Sequence, residues 1–227
     1  LLPLLASLWI QRKHLNQWVG AHTAWLNMES VRRCVDEDMN IEDYIGEDLI
    51  IPVDLASRID ITAVPKVFMR VINDKMHYYA FCRFYLPEET ILDPKNKHYQ
   101  AWVNEGWLTA TDGNEIDFNE IQADIIADMD TYGAKEVTYD PWRATQLAQG
   151  LQAEGASIVE FRNTVQNMSP AMYELEAAIE SGRFHYDGNP VLTWMLSNLI
   201  GRIDAKDNCY PRKNKPEHKN HQGRQLF

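Results

Sequence analysis

The chain has 227 residues, 45% of them hydrophobic, so it is long enough to bury one substantial core. Its net charge of −11 excludes a protein that binds nucleic acid through bulk positive charge alone. No apolar run approaches the roughly 20 residues that a membrane helix needs, so we expect no membrane partner. Three scattered cysteines predict a protein of the reducing cytoplasm and not a disulfide framework.

The first half of the chain predicts one helix and then strands. Apolar side chains at helical spacing predict that residues 11–33 are helical. Short apolar or aromatic runs predict three strands, at Asp48–Val53, Val64–Val71 and Met76–Leu86. Asn73 and Asp74 form a turn pair between the second and third strands, which predicts a hairpin there.

The second half alternates between helices and strands. Asp117 or Asn119 can cap a helix that ends near Gly133, and Ser169-Pro170 predicts the start of another helix that runs to Gly182. Further strands are predicted at Lys135–Tyr139, Ser157–Phe161 and Phe184–Tyr186, helices at Pro141–Glu154 and Pro190–Ile200, and a hairpin at Arg202–Tyr210. This order predicts an α/β fold, a mixed sheet flanked by helices, as in ribonuclease H-like domains.

Two carboxylates stand at the ends of predicted strands. Asp54 closes the first strand and Asp140 closes Lys135–Tyr139. If the two strands are neighbours, both acids converge at one edge of the sheet, where they can hold Mg²⁺ or Mn²⁺. Two alternatives stay open: Asp140 directly before Pro141 is also an ordinary helix N-cap, and Asp54 can cap a loop.

The C-terminal end of the chain is locally basic. From Arg202 onward there are seven Lys or Arg against three acids. The candidate contacts to DNA phosphates are Arg212, Lys213, Lys215 and Lys219. Plain solubility of an exposed segment is the alternative interpretation of the same residues.

Several long blocks point to one family. They are VDLASRIDITAV (53–64), RFYLPEET (83–90), TYDPWRATQLAQGLQAEG (138–155), TVQNMSPAMYELEAAIESGRFHYDGNPVLTWMLSN (164–198) and DAKDNCYPRKNKPE (204–217). In this order, and with KHLNQWVGAHTAWL (13–26) before them, they resemble the large terminase subunits of tailed bacteriophages. The resemblance implies a ribonuclease H-like nuclease that makes the cuts beginning and ending DNA packaging. It places Asp54 and Asp140 on two catalytic, metal-binding acids of that family.

Two departures from the family pattern bear on activity. No Gly is followed by Lys, so the phosphate loop of the family's packaging ATPase is absent. After Lys219 the family pattern resembles K-I-D-G-A-V-A, with a further metal-binding Asp, but His221 stands at that position here. We therefore expect an incomplete C-terminal end, damaged by truncation or a frame shift. One ion would then bind where the family has two, and the domain would be weak or inactive.

The domain division follows from the resemblance. Residues 1–46 are predicted to lead in from a missing ATPase domain as a helical segment, and residues 47–227 to form the nuclease domain. The predicted function is a metal-dependent DNA endonuclease that uses two-metal hydrolysis. The alternative is an inactive terminase remnant, of phage or prophage origin, that binds DNA or packaging partners without cutting; the block order argues against a resolvase or transposase. The implied partners are double-stranded DNA, a small terminase subunit and a capsid portal, in the cytoplasm of a bacterial host.

Overall fold

A computed structural model describes residues 25–55 and 60–212, without the side chains of Trp142, Arg143 and Arg212. The strands of this part are β1 Asp48–Val53, β2 Thr62–Ile72, β3 Lys75–Pro87, β4 Thr109–Thr111, β5 Glu136–Tyr139, β6 Ile158–Glu160, β7 Phe184–Tyr186, β8 Ile200–Ile203 and β9 Cys209–Arg212. The helices are α1 Met28–Arg33, α2 Glu88–Leu92, α3 Lys97–Asn104, α4 Phe118–Tyr132, α5 Pro141–Ala153, α6 Val165–Glu180 and α7 Pro190–Ser197, with 3-10 turns at Ile41–Tyr44 and Pro94–Asn96.

One mixed sheet organises the fold. Its order is β4-β3-β2-β1-β5-β6, and β7 adds to the outer edge of β3. The strands β1, β2 and β3 are antiparallel in sequence, whereas β5 runs parallel to β1 and β6 runs parallel to β5. The predicted α/β class and the placing of the four principal predicted strands in one sheet are both confirmed. The hairpin β8-β9 is also confirmed, as a separate two-stranded sheet that packs on α6.

The β2-β3 hairpin shows how local chemistry sets the register. Asn73 and Asp74 both have positive φ, 51° and 59°. Two consecutive residues of this kind form the turn whose twist matches that of the flanking strands. The pairing then continues without interruption from Ile72↔Lys75 to Thr62↔Tyr85.

A hydrophobic core lies on each side of the sheet. Alternation along β1 sends Leu49, Ile51 and Val53 to the side that is covered by α4 and α5. The opposite core is formed by residues of β3 and β7 together with apolar side chains of α1, α6 and α7. Because Asp54 follows Val53 directly, alternation turns its side chain away from the α4-α5 side.

The structure corrects two of the predicted helices. Helix α1 begins at Met28, because the Asn27 side chain accepts from the N–H of Glu29 and caps it; Trp25 to Asn27 are not helical. Helix α6 begins at Val165 with Thr164 as its cap, so Ser169 and Pro170 lie inside it and do not open it. Ser169 Oγ instead accepts from the N–H of Cys209 at 3.0 Å, a contact that sequence spacing cannot reveal.

The segment before β1 packs onto the sheet domain where it is described. Trp25 donates its N–H to the carbonyl of Leu199, and Val31 and Cys34 are buried in the core. The division at residue 46 stays a prediction, and the part of the predicted helix before Trp25 lies outside the described residues. Across the described ranges, no helix is both long and apolar enough to cross a bilayer.

Candidate active site

The neighbouring parallel strands β1 and β5 set the site. Val53 and Tyr139 are Cα partners, so Asp54 and Asp140 each stand one residue beyond the last pair. Parallel neighbours lie about 4.8 Å apart, which brings these two backbone positions to one edge of the sheet. The predicted arrangement of the two acids at adjoining strand ends is therefore found.

The backbone of Asp54 is held on its other side by β2. The Asp54 N–H donates to the Ala63 carbonyl and the Ala63 N–H donates to the Asp54 carbonyl, each at 3.3 Å. Such a reciprocal pair continues the antiparallel ladder past the formal end of β1. The backbone of Asp54 is thus anchored between two strands. A residue that only caps a loop would not need this support.

Asp140 occupies the junction between β5 and α5. Helix α5 begins at Pro141, so Asp140 stands at the cap position that the alternative interpretation assigned to it. It also lines the same pocket as Asp54. The two interpretations are compatible, because a carboxylate at a helix N-terminus is electrostatically favoured and still presents oxygen atoms to a cation.

A small pocket collects residues from three strand ends. Its lining comes from β1 and the residue after it (Pro52, Val53, Asp54), from β5 and the residue after it (Thr138, Tyr139, Asp140), and from the segment after β6 (Phe161, Asn163). The Phe161 N–H donates to the Tyr139 carbonyl at 2.8 Å and extends the β5-β6 pairing to the rim of the pocket. Phe161 and Pro52 add apolar walls beside the two acids.

The donor set of the pocket fits a hard divalent cation. Carboxylate, amide and hydroxyl oxygens are present, and neither sulfur nor imidazole lines the pocket. Oxygen ligands of this kind suit Mg²⁺ and Mn²⁺. In residues 25–55 and 60–212, however, no group of three or more His, Cys, Asp or Glu side chains is placed to hold a metal.

The predicted DNA-binding residues lie at or beyond the last described residue, so their contacts with DNA stay a prediction. Arg212 is the last residue of β9, while Lys213, Lys215, Lys219 and the unusual His221 lie outside the described residues. Asp204, in the β8-β9 turn, has a structural role. Its carboxylate accepts from the N–H groups of Lys206 and Asn208, at 2.7 and 3.0 Å, and from the Asn208 amide.

Sequence reasoning missed Phe161 and Asn163. A signal for them existed, because the predicted strand 157–161 follows the strand that ends at Asp140 with one helix between. Consecutive parallel strands end at the same edge of a sheet, so the residues just after the second strand belong beside the first. Unlike Asp54 and Asp140, Asn163 carries no charge and stands two residues beyond the predicted strand, so its sequence position is less conspicuous.

The mixed sheet flanked by helices is the fold expected of a ribonuclease H-like domain. Residues 5–222 match the sequence profile of the family described as "Terminase large subunit, endonuclease domain". The chain belongs to this family of phage terminase nuclease domains. The resemblance carried by the sequence blocks is confirmed.

Known proteins show the same relationship. The chain is 38% identical over 217 residues to Protein YmfN of Escherichia coli K12, covering 91% of this chain and 48% of that protein. It is 31% identical over 203 residues to the terminase large subunit of Enterobacteria phage HK97, covering 86% of this chain and 38% of that protein. The chain therefore spans less than half the length of these curated relatives.

Solved structures agree on the fold. The crystal structure of the HK97 large terminase superimposes with a TM-score of 0.74 at 27% identity, over 89% of this chain and 41% of that one. The large terminase nuclease of thermophilic phage G20c superimposes with a TM-score of 0.55 at 14% identity, over 83% and 89% of the two chains. At 14% identity the second match shows the fold alone.

Proposed function

We propose that this domain hydrolyses phosphodiester bonds of DNA with divalent cations bound by Asp54 and Asp140. The observation that carries the proposal is their convergence in one pocket at adjoining ends of β1 and β5. Membership of a family described as an endonuclease domain supports the same reaction.

The residues of the pocket have separate roles in the proposed hydrolysis. The carboxylates of Asp54 and Asp140 bind the cations, and the ladder contacts of Asp54 with Ala63 keep its position constant. Phe161 and Pro52 limit the water around the acids, which strengthens electrostatic interactions there. Bound divalent cations would activate a water molecule and stabilise the leaving oxygen of a phosphodiester.

DNA must approach a chain whose net charge is −11. Cations in the pocket offset the repulsion between its acids and the phosphates. We propose that the backbone is contacted by the basic C-terminal residues, Arg212, Lys213, Lys215 and Lys219. A small terminase subunit and a capsid portal are the proposed protein partners, in the cytoplasm of a bacterial host.

Plasmid nicking tests the proposal. Supercoiled plasmid is incubated with the purified chain in Mn²⁺, in Mg²⁺ and in EDTA, and open-circle product is measured. We expect nicking that requires the metal and is lost in Asp54→Asn and in Asp140→Asn. The matched control is Asp130→Asn, which makes the same charge change at an exposed position on α4. Nicking that survives both pocket substitutions would place the reaction elsewhere.

The inactive remnant is a second candidate, favoured by one observation. Within the described residues, no group of three His, Cys, Asp or Glu side chains could hold a metal, and the family resemblance places His221 where the family pattern has Asp. His221→Asp separates the candidates in the same assay. A nuclease with a weakened site should nick faster after the substitution. A remnant should bind the plasmid in a mobility-shift assay and leave it uncut before and after the change.

A further inference from the structure

We infer that Asn163 supplies a third oxygen ligand, its side-chain amide oxygen, to a divalent cation held by Asp54 and Asp140. The inference rests on the proposed function and adds a residue that is not one of the two acids. It also identifies a set of ligands whose charge balances that of one divalent cation, in the part of the site that the structure describes.

The backbone after β6 brings Asn163 to the pocket. Phe161 continues the pairing with Tyr139, and the Thr164 N–H then donates to the Arg162 carbonyl at 2.7 Å, which turns the chain sharply. Thr164 caps α6 through the N–H of Asn167. Asn163 is therefore held between a strand end and a helix cap, and it lines the pocket with both acids.

The Asn163 amide has no other use in the described part of the chain. It forms no hydrogen bond with any described residue, although it is partly buried. Its neighbour Asn167 behaves differently, since its amide donates to the Arg162 carbonyl at 2.9 Å. The Asn163 amide is not among the buried unpaired atoms of the described residues, so it stays accessible, and a cation could bind it without breaking a contact within them.

The charges and the ligand types in the pocket favour cation binding by Asn163 over a purely structural role. Two carboxylates carry the charge that balances one divalent ion, and a neutral amide oxygen completes its coordination without adding repulsion. Side-chain amide oxygens are common ligands of hard cations, and Mg²⁺ is usually held by one or two carboxylates together with water. The position also matches strand-end geometry, because Asn163 approaches from the β6 side while Asp54 and Asp140 approach from β1 and β5.

Calorimetric titration of the intact chain with Mn²⁺ tests the assignment independently of catalysis. Asn163→Ala should weaken Mn²⁺ binding about tenfold, as loss of a supporting ligand does in metal sites. Asn163→Asp should tighten it by about tenfold, because affinity for hard cations rises with the charge of the ligands. The matched control is Asn119→Asp, which adds the same charge at an exposed position on α4, across the sheet, and should leave the affinity unchanged.

The variant Asp54→Asn distinguishes the two possible failures. If Asp54→Asn abolishes Mn²⁺ binding while both Asn163 variants bind like the parent, the assignment of Asn163 is overturned and the two-acid site stands. If Asp54→Asn binds as tightly as the parent, the proposed site itself is wrong. If Asn163→Asp slows nicking with unchanged metal affinity, the amide donates to a phosphate, and the ligand assignment is again overturned. Melting temperatures in EDTA verify that each variant is folded.

Discussion

Asp54 lies one residue beyond Val53, and that single step turns its side chain from the buried core to the pocket. Leu49, Ile51 and Val53 point to the α4-α5 side of the sheet, and each is at most 4% exposed. The residue that follows must face the other way, since side chains alternate along a strand. A shift of one residue in the β1-β5 register would therefore bury the carboxylate and destroy the site.

Asp54→Asn should separate the metal-binding role from a structural one. Two carboxylates that share a pocket repel each other without a cation, so removing one charge should leave the melting temperature in EDTA level or slightly higher. In Mn²⁺ the parent should gain stability through binding and the variant should not. The measurement is thermal unfolding with and without Mn²⁺. A variant that melts well below the parent in EDTA would identify Asp54 as a structural cap.

The partly buried carboxyl of Asp187 should make the free energy of unfolding depend on pH. Burial raises the pKa of this carboxyl above its ordinary value, although the N–H of Asn189 donates to it at 3.1 Å. A carboxyl with a raised folded-state pKa contributes stability at low pH that is lost as the pH rises through that pKa. Asp187→Asn should therefore be more stable than the parent at pH 7 and about equal to it below pH ~4.

Urea unfolding at the two pH values measures the difference for Asp187→Asn. The control is Asp38→Asn, the same charge change at an exposed position, which should shift the urea midpoint little at either pH. A variant that is less stable than the parent at pH 7 would show that the ionised carboxylate is needed in the loop between β7 and α7.

Secondary-structure elements are joined by a few contacts between residues that are distant in the sequence. Helix α6 carries Ser169 in its middle, and the Ser169 hydroxyl accepts from the backbone of β9. The hairpin β8-β9 packs along this helix and carries Arg212 at its end. The position of the basic C-terminal segment therefore depends on how firmly α6 holds the hairpin.

Ser169→Ala should weaken the junction between α6 and β9. Cys209 is fully buried, so its N–H loses the Ser169 acceptor where water cannot replace it. The expected cost is about 1–3 kcal/mol in the free energy of unfolding. The matched control is Ser181→Ala at the exposed C-cap of the same helix, where the hydroxyl donates to the Ala177 carbonyl and accepts from the Arg183 side chain in contact with solvent. Equal losses in both variants would argue against a special role for the Ser169 contact.

The β2-β3 turn offers a stabilising change. Asp74 adopts a φ of 59°, a left-handed conformation that Gly reaches without strain. Asp74→Gly creates the Asn-Gly pair favoured in such turns and should stabilise the domain by roughly 0.5 kcal/mol. Asp74→Val should destabilise it, because a β-branched residue resists positive φ. Thermal unfolding of the two variants would contradict this account if their order were reversed.

At the scale of the whole molecule, a buried charge network joins helix α4 to the sheet. Lys66 of β2 lies 3.0 Å from Asp128 of α4, and both side chains are at most 7% exposed. Arg83 of β3 contacts Asp128 at 3.3 Å and Asp124 at 3.3 Å. Burial lowers the pKa of Lys66, and the charge of Asp128 opposes that shift. The carboxylate of Asp128 thus serves two cations at once.

Because Asp128 pairs with both Lys66 and Arg83, removing Asp128 and removing Lys66 should lower the free energy of unfolding by different amounts. Asp128→Asn leaves Lys66 buried without its carboxylate and should cost about 3–5 kcal/mol. Lys66→Met should cost less, because Asp128 keeps its contact with Arg83. Urea unfolding of the two single variants and of Lys66→Met with Asp128→Leu tests the network, and the double variant should be more stable than Asp128→Asn. A larger loss in Lys66→Met would contradict the sharing.

The sequence alone predicted the two acids of the candidate site but not its amide. Asp54 and Asp140 were found because acids after strand-forming runs are conspicuous, and because the family blocks contain them. Asn163 was not found, because an amide in a loop is common and nothing local distinguishes it. Its proposed role follows from the placing of β6 beside β5, a contact between segments that are separated by a whole helix.

By itself, the sequence determined two kinds of feature: those with a local cause, and the family resemblance that several long sequence blocks carry. These are the β2-β3 hairpin with its Asn-Asp turn, the cap and glycine stop of α4, the strand ends that carry the acids and the terminase resemblance. Tertiary structure alone decided the places where long-range packing outweighs local preference. Ser169-Pro170, a typical helix start, lies inside α6 because Thr164 caps the helix earlier and Ser169 binds β9. Strand β4, with only the residues Thr109–Thr111, shows no periodicity of its own, so only its pairing with β3 defines it.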